Sequence, residues 1–206
     1  MIDIIDAKFI TSAPDITLVP PNIEQNEVAF LARSNVGKSS LLNALTNYKN
    51  LAKVSATPGK TRLINYFDIT FLNRELSQKL YVKFIDLPGF GYAKVSKSTQ
   101  ALWQQNLTSF IQKRKQIRVF IHLIDARHTD LDIDHEVYEF LKNITNETQA
   151  IIKIFTKIDK LNQKQLSKLK KNFPDSIMVS SFKKKGINDT ICAIYELLCR
   201  VDHGNI

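Results

Sequence analysis

The sequence predicts one α/β domain, a largely parallel sheet with helices on both faces. Three observations carry this. Short apolar runs alternate with helically spaced stretches from Glu27 onward, as buried strands and covering helices do. No repeat, low-complexity block or long linker divides the chain. Its 206 residues, 44% hydrophobic and 24% charged, suit one domain that buries a core without disulfide staples.

The elements follow in order. Residues 1–25 read as irregular, because Pro14, Pro20 and Pro21 interrupt short apolar stretches. They are expected to pack on, or lead into, a domain spanning residues 26–203. Val28–Leu31 is a short apolar strand, and Lys38–Asn47 a helix with Leu41, Leu42 and Leu45 on one face. Residues 48–62 are polar and contain Thr57-Pro58-Gly59, a loop by composition. Leu63–Leu72 and Leu80–Ile85 alternate as strands do around the turn residues Asn73-Arg74-Glu75. Ser98–Lys115 reads as a helix presenting Leu102, Leu107, Phe110 and Ile111. Strand-like Val119–Ile124, Ala150–Phe155 and Ser176–Val179 then alternate with helical Asp134–Asn143, Gln163–Lys171 and Ile187–Val201.

Composition narrows the classes. A net charge of +9 suits a polyanionic partner or simply solubility. Two cysteines exclude a disulfide framework and a four-cysteine zinc site. The opening Met1-Ile2-Asp3-Ile4-Ile5-Asp6 is acidic where a secretion signal is basic. No apolar run approaches the roughly 18 residues of a membrane span. A cytoplasmic setting is expected. Glycine is scarce, six in all, and Gly37, Gly59, Gly89 and Gly91 fall close together, where tight backbone approach or positive φ is expected.

Four motifs carry chemistry. Ala32-Arg33-Ser34-Asn35-Val36-Gly37-Lys38-Ser39 lies between a strand and a helix, where a phosphate loop belongs. Its backbone N–H groups and the helix's positive end wrap phosphate oxygens. Lys38 reaches the β- and γ-phosphates, and Ser39 offers a hydroxyl to Mg²⁺. The pattern expects glycine first; Ala32 adds one methyl, harmless if its φ is negative. Asp86-Leu87-Pro88-Gly89, at a strand end, supplies a carboxylate for the magnesium shell, usually through water, and an N–H for the γ-phosphate.

Thr156-Lys157-Ile158-Asp159 supplies a carboxylate that accepts from guanine N1–H and the N2 amine, with the Lys157 stem along the base. Adenine has an acceptor at N1 and no such amine, so it is rejected. Ser180-Ser181-Phe182 places backbone N–H groups where guanine O6 would lie. The ligands expected are GTP and GDP.

The motif order resembles translation-factor-class P-loop GTPases. Arg33-Ser34-Asn35-Val36-Gly37-Lys38-Ser39-Ser40, Thr57-Pro58-Gly59-Lys60-Thr61 and Asp86-Leu87-Pro88-Gly89-Phe90-Gly91-Tyr92-Ala93 resemble the bacterial EngB-type family. Asp125-Ala126-Arg127-His128 and Thr156–Asp159 extend the match to about residues 20–200. The resemblance implies a three-layer P-loop GTPase fold with a mostly parallel six-stranded sheet. It implies hydrolysis of GTP to GDP and phosphate with Mg²⁺, as a switch in assembly of the large ribosomal subunit that cell division and septation require. It further implies that Thr61 binds Mg²⁺ in the GTP state, that Thr57 is structural, and that Gly59, Lys60, Thr61, Arg62 and Leu63 contact nucleotide. Ala32 and Phe182 depart from the family, where glycine and leucine are usual. A monomer without DNA or membrane partners is expected.

Phe90 stands where many GTPases carry a water-orienting Gln. Hydrolysis must then rest on positioning, Mg²⁺ and a further charge. Asn35 is a candidate for holding K⁺ beside the phosphates, as in GTPases resembling this one at both positions; bonding to its own loop is the structural alternative. Lys38, Asn35 and Thr61 are the candidate catalytic residues.

Lys160, Lys164, Lys168, Lys170, Lys171, Lys183, Lys184 and Lys185 face one acid, Asp175, in the same stretch. They read as a solvated helix face or as a patch meeting rRNA phosphates. Tyr66, Tyr92 and Trp103 are expected in core or rim, His122 as a satisfied core residue, and Cys192 and Cys199 in the core. His128 and His135 lack metal-ligand companions.

Overall fold

The computed structural model describes residues 1–13, 25–52, 63–90, 105 and 107–202. Seven strands form one sheet: β1 (Ile2–Ala13), β2 (Glu27–Ala32), β3 (Ile64–Asn73), β4 (Gln78–Asp86), β5 (Ile117–Asp125), β6 (Ala150–Thr156) and β7 (Ile177–Met178). Their spatial order is β1-β3-β4-β2-β5-β6-β7. β4, β2, β5, β6 and β7 run parallel; β3 is antiparallel to β4 and β1 to β3. The helices are α1 (Lys38–Thr46), α2 (residues 107–113), α3 (Asp132–Ile144), α4 (Gln163–Asn172) and α5 (Ile187–Asp202).

The sheet has seven strands, one more than expected. The addition is β1, inside the segment read as irregular. Its register with β3 skips Ile5 and Ile10 at two bulges, and only Ala7 and Ala13 are buried along it. Bulges break the alternation that marks a strand in sequence. The other predicted strands and the helices at α1, α3, α4 and α5 appear within two residues of their expected ends. The helix expected from Ser98 is present over residues 107–113; Ser98, Leu102 and Trp103 lie outside the described residues.

Two apolar layers sandwich the sheet. α1 and α5 cover Val28, Phe30, Phe67, Phe84, Ile121 and Ile154 through Leu41, Leu45, Ile194 and Leu198. α2 and α3 cover Ala29, Leu31, Tyr66, Ile85 and Phe120 through Phe110, Ile111 and Leu141. Leu169 of α4 packs with Ile124 and Phe155. Tyr66 is fully buried, as expected of a core residue, while Cys192 and Cys199 are half-buried at the margin. No helix of the described residues is long and apolar enough to cross a membrane.

This architecture gathers chemistry at one edge. β2, β4, β5 and β6 end on Ala32, Asp86, Asp125 and Thr156, all at the carboxyl edge of the parallel strands. Ligands of open α/β sheets bind outside that edge.

Candidate nucleotide-binding site

The phosphate loop turns between β2 and α1. Ala32 ends β2 in extended backbone, fully buried, and is absent from the residues with positive φ. The methyl group is therefore accommodated. Asn35 (φ 64°) and Gly37 (φ 106°) make the left-handed turns. Asparagine tolerates that region better than most residues, a conformational reason for its presence. Gly37 heads α1 with no side-chain cap and no acid in the first turn. The helix start therefore presents first-turn N–H groups and positive dipole that no side-chain cap or first-turn acid among the described residues offsets, which suits an anion.

The Asp86-Leu87-Pro88-Gly89 segment lies against this loop. Leu87 N–H donates to Phe30 O (3.2 Å), Phe90 N–H to Ala32 O (3.0 Å) and Ser34 N–H to Phe90 O (3.3 Å). A Cβ on Gly89 would stand 3.0 Å from Ser34 Oγ and 3.2 Å from Ser34 N. Glycine is needed there for contact with the loop. Phe90 itself turns into the core, nearly fully buried, with its ring 6.3 Å from that of His122. Its side chain orients no water.

Lys38 Nζ pairs with Asp86 Oδ1, and both side chains are largely buried. Burial draws the Lys38 ammonium down, to about 7. The Asp86 carboxylate in contact opposes that pull and favours the charged form. Asp86 Oδ2 accepts from Asn65 Nδ2 at 3.1 Å. Arg33 points away from the phosphate side, with Nε 3.0 and 2.9 Å from the two oxygens of Asp134 on α3. Only its backbone remains for nucleotide.

The guanine motif is stitched to the same loop. Thr156 Oγ1 donates to Val36 O at 2.7 Å, and Lys157 Nζ to Asn35 O at 2.5 Å. Lys157 Nζ also donates to Asp125 Oδ2 at 3.0 Å, while Arg127 donates to both oxygens of Asp125. Burial would raise the Asp125 carboxyl; the Arg127 and Lys157 contacts outweigh it and hold the acid well below its usual range. Asp125 is thus the counter-ion that stations Lys157. Its signal in the sequence is a carboxylate ending a buried strand.

Asp159 follows on a short 3-10 turn, Ile158–Lys160. Ser180 Oγ donates to Asp159 Oδ1 at 2.6 Å, and this hydrogen bond lowers the Asp159 carboxyl. The Ser180 N–H is already engaged by Lys185 O at 3.0 Å. Of the three N–H groups expected at guanine O6, that one is not available; the Ser180 hydroxyl instead braces the Asp159 carboxylate, the candidate base reader. No sequence signal announces this.

Between the two motifs opens a cleft of about 250 Å³, lined by Val36, Gly37 and Ser40 on one side and Thr156, Lys157, Asp159, Lys160, Ser181 and Phe182 on the other. Phe182 is 86% exposed at its lip. Ser39 sits half-buried in the first turn of α1, and Leu63 is exposed immediately before β3. Thr57, Gly59, Lys60, Thr61, Arg62, Gly91, Tyr92 and Ala93 lie outside the described residues.

His122 corrects one expectation. It is fully buried, yet neither ring nitrogen has a hydrogen-bond partner among the described residues; Asp134 Oδ1 is 4.0 Å from Nε2. Burial is the main reason its pKa falls to about 3, so it is neutral.

The family model described as 50S ribosome-binding GTPase matches residues 27–157. A GTP-binding protein EngB of Aliarcobacter butzleri is 56% identical over 188 residues, covering 90% of this chain and 93% of its own. The chain belongs to the EngB family. An EngB of Campylobacter jejuni is 54% identical over 187 residues, covering 90% of this chain and 92% of its own. A crystal structure of an EngB GTP-binding protein superposes with a TM-score of 0.61 at 25% identity, over 84% of this chain and 99% of that one. EngB proteins are GTP-binding P-loop GTPases.

Proposed function

We propose that this EngB-family GTPase works as a switch in assembly of the large ribosomal subunit, cycling between GTP and GDP, and that normal division and septation depend on it. One observation carries the ribosomal part. Lys164, Lys168, Lys170 and Lys171 on α4, and Lys183, Lys184 and Lys185 on the turn after β7, are all exposed. Such a surface suits rRNA phosphates. The description of the matched family as 50S ribosome-binding supports the same reading. The setting we infer is cytoplasmic, the protein monomeric, and the domain residues 26–203 with β1 added to its sheet.

Mg²⁺ fits the donors present. Ser39 and Asp86 offer oxygens, as this hard cation demands, and a phosphate-bound Mg²⁺ needs few protein ligands. Ser39 and, by family resemblance, Thr61 would bind it directly, with Asp86 acting through water. When bound it would neutralise charge on the β- and γ-phosphates. Lys38 turns from Asp86 to phosphate oxygens, the uncapped start of α1 holds the β-phosphate, and Asp159 reads the guanine edge. Ser181 and Phe182 offer N–H groups to O6.

Because Phe90 is buried, a further charge must assist hydrolysis. Asn35 has an exposed side chain that bonds nothing among the described residues, which leaves its carbonyl free for K⁺. Turnover in matched KCl and NaCl, wild type against Asn35→Ala, tests this; equal rates would remove the cation.

The test of the main reading is co-sedimentation with purified ribosomal subunits in GDP and in a non-hydrolysable GTP analogue. Association with the large subunit that depends on the nucleotide is expected. No association with either subunit in either state would overturn it.

A further inference from the structure

Ser12, Asn65 and Asp86 stand directly opposite one another on β1, β3 and β4. Ser12 Oγ donates to Asn65 Oδ1 at 2.6 Å, and Asn65 Nδ2 donates to Asp86 Oδ2 at 3.1 Å. Asp86 Oδ1 then meets Lys38. Four side chains thus run unbroken from the edge of the sheet to the phosphate loop.

The chemistry gives this chain one direction. A carboxylate only accepts, and an amide carries its acceptor and its donors on different atoms. By taking the amide oxygen, the Ser12 hydroxyl turns the amide nitrogen toward Asp86. With Oδ2 held, Asp86 has one orientation, and Oδ1 faces the phosphate side.

Packing does not account for the row. Asparagine is a poor strand residue. Two residues inward on β3 and β4, the opposed pair is Phe67 and Phe84, both buried, with Phe9 opposite Phe67 on β1. The polar row occurs at the carboxyl end of β4, where α1 begins.

We propose that Asn65 is a positioning residue for Asp86, and that strand β1, through Ser12, fixes its orientation. The metal affinity of the nucleotide site then depends on the edge strand. This rests on the Mg²⁺ reading of Asp86 given above.

The experiment follows release of a fluorescent GDP analogue against Mg²⁺ concentration, with thermal unfolding measured alongside. Asn65→Ala should raise the Mg²⁺ concentration for half-maximal slowing by about 10-fold, on the scale of lost outer-shell partners of a metal site. Release in EDTA should stay at the wild-type rate. Ser12→Ala, a mild change on a half-buried edge strand, should shift the midpoint the same way by about 3-fold, one ordinary hydrogen bond. Wild-type midpoints in both variants would overturn the proposal, even with lowered unfolding temperatures. Equal acceleration in EDTA and in Mg²⁺ would also overturn it, since that marks a loosened cleft. A wild type indifferent to Mg²⁺ would instead remove the metal reading, and this proposal with it.

Discussion

Thr156 Oγ1 lies 2.7 Å from the backbone oxygen of Val36, a bond between residues 120 apart in sequence. It fixes the strand end that carries the Thr156–Asp159 motif against the loop that carries Asn35–Lys38, so the two motifs share one surface. The same hydroxyl lies 3.2 Å from Ile124 O. Thr156→Val keeps the shape and removes the donor to Val36 O, while Ile124 O stays within the ladder between β5 and β6. We expect a stability loss of about 1–3 kcal/mol in urea unfolding, together with weaker GDP binding by calorimetry. Unchanged GDP affinity would show that the two motifs hold their places independently.

Asp159→Asn is expected to weaken GTP by about 2–4 kcal/mol, because an amide donor then faces the guanine amine. Xanthosine triphosphate should gain. Competition binding with GTP, XTP and ATP checks this; a wild type that bound ATP and GTP equally would sink the guanine assignment.

Phe182, exposed at the lip of the cleft, has the surface to stack on the base. Phe182→Ala should weaken GDP by roughly 5–30-fold, within the usual worth of aromatic stacking on a base. Phe182→Leu should keep part of that loss at bay. Equal affinities for all three proteins would place the ring outside the nucleotide's reach.

His122 makes stability pH-dependent. Burial, aided by the Lys153, Arg33 and His135 charges, lowers its pKa from the ordinary 6.5 to about 3. The unfolded chain binds a proton below about 6.5 that the folded chain refuses until about 3. Stability therefore falls as the pH is lowered through that window, by about 1.6 kcal/mol between pH 6.5 and 5 from this group. His122→Leu should flatten the trend and, by removing two unpartnered nitrogens, add about 1–3 kcal/mol at pH 7. Parallel urea midpoints for the two proteins at pH 7 and 5 would refute the assignment.

If the exposed lysines meet rRNA, subunit binding weakens steeply with salt. Exchanging Lys164, Lys168 and Lys183 for Gln should reduce the log–log salt slope by about 2–3, leaving GDP affinity intact. A slope that does not move would return them to the solvated face. Lys170 and Lys171 are left out of this set because they close the last turn of α4, where cations suit the helix dipole.

The sequence made the parallel core readable for a physical reason. Strands such as Val28–Leu31, buried on both faces, are apolar throughout, and helices such as Lys38–Thr46 carry one apolar stripe. The phosphate loop stood out because it needs particular residues at fixed spacing, whereas Thr156–Asp159 gained its meaning only from following that loop. β1 was not readable, because its bulges at Ile5 and Ile10 erase the period of two and its exposed face is partly apolar. Nor were the props: Asp125 behind Lys157, Ser180 behind Asp159 and Asn65 behind Asp86 act through partners far away in the chain. Pairings of that kind exist only once the topology brings strands together.

The sheet order also constrains the timing of synthesis. β1 leaves the ribosome early, yet its partner β3 starts 51 residues after β1 ends, at Ile64 against Ala13. At about 5–20 residues per second the nascent strand waits roughly 3–10 s for a neighbour. During that interval Ile2, Ile4, Ile5, Phe9 and Ile10 have no sheet to join. A protein that we place in ribosome assembly would thus carry, at its own birth on a ribosome, a sticky unpaired strand in need of shelter. Force-sensitive arrest sequences placed before and after residue 73 should register β1 docking only in the longer chains.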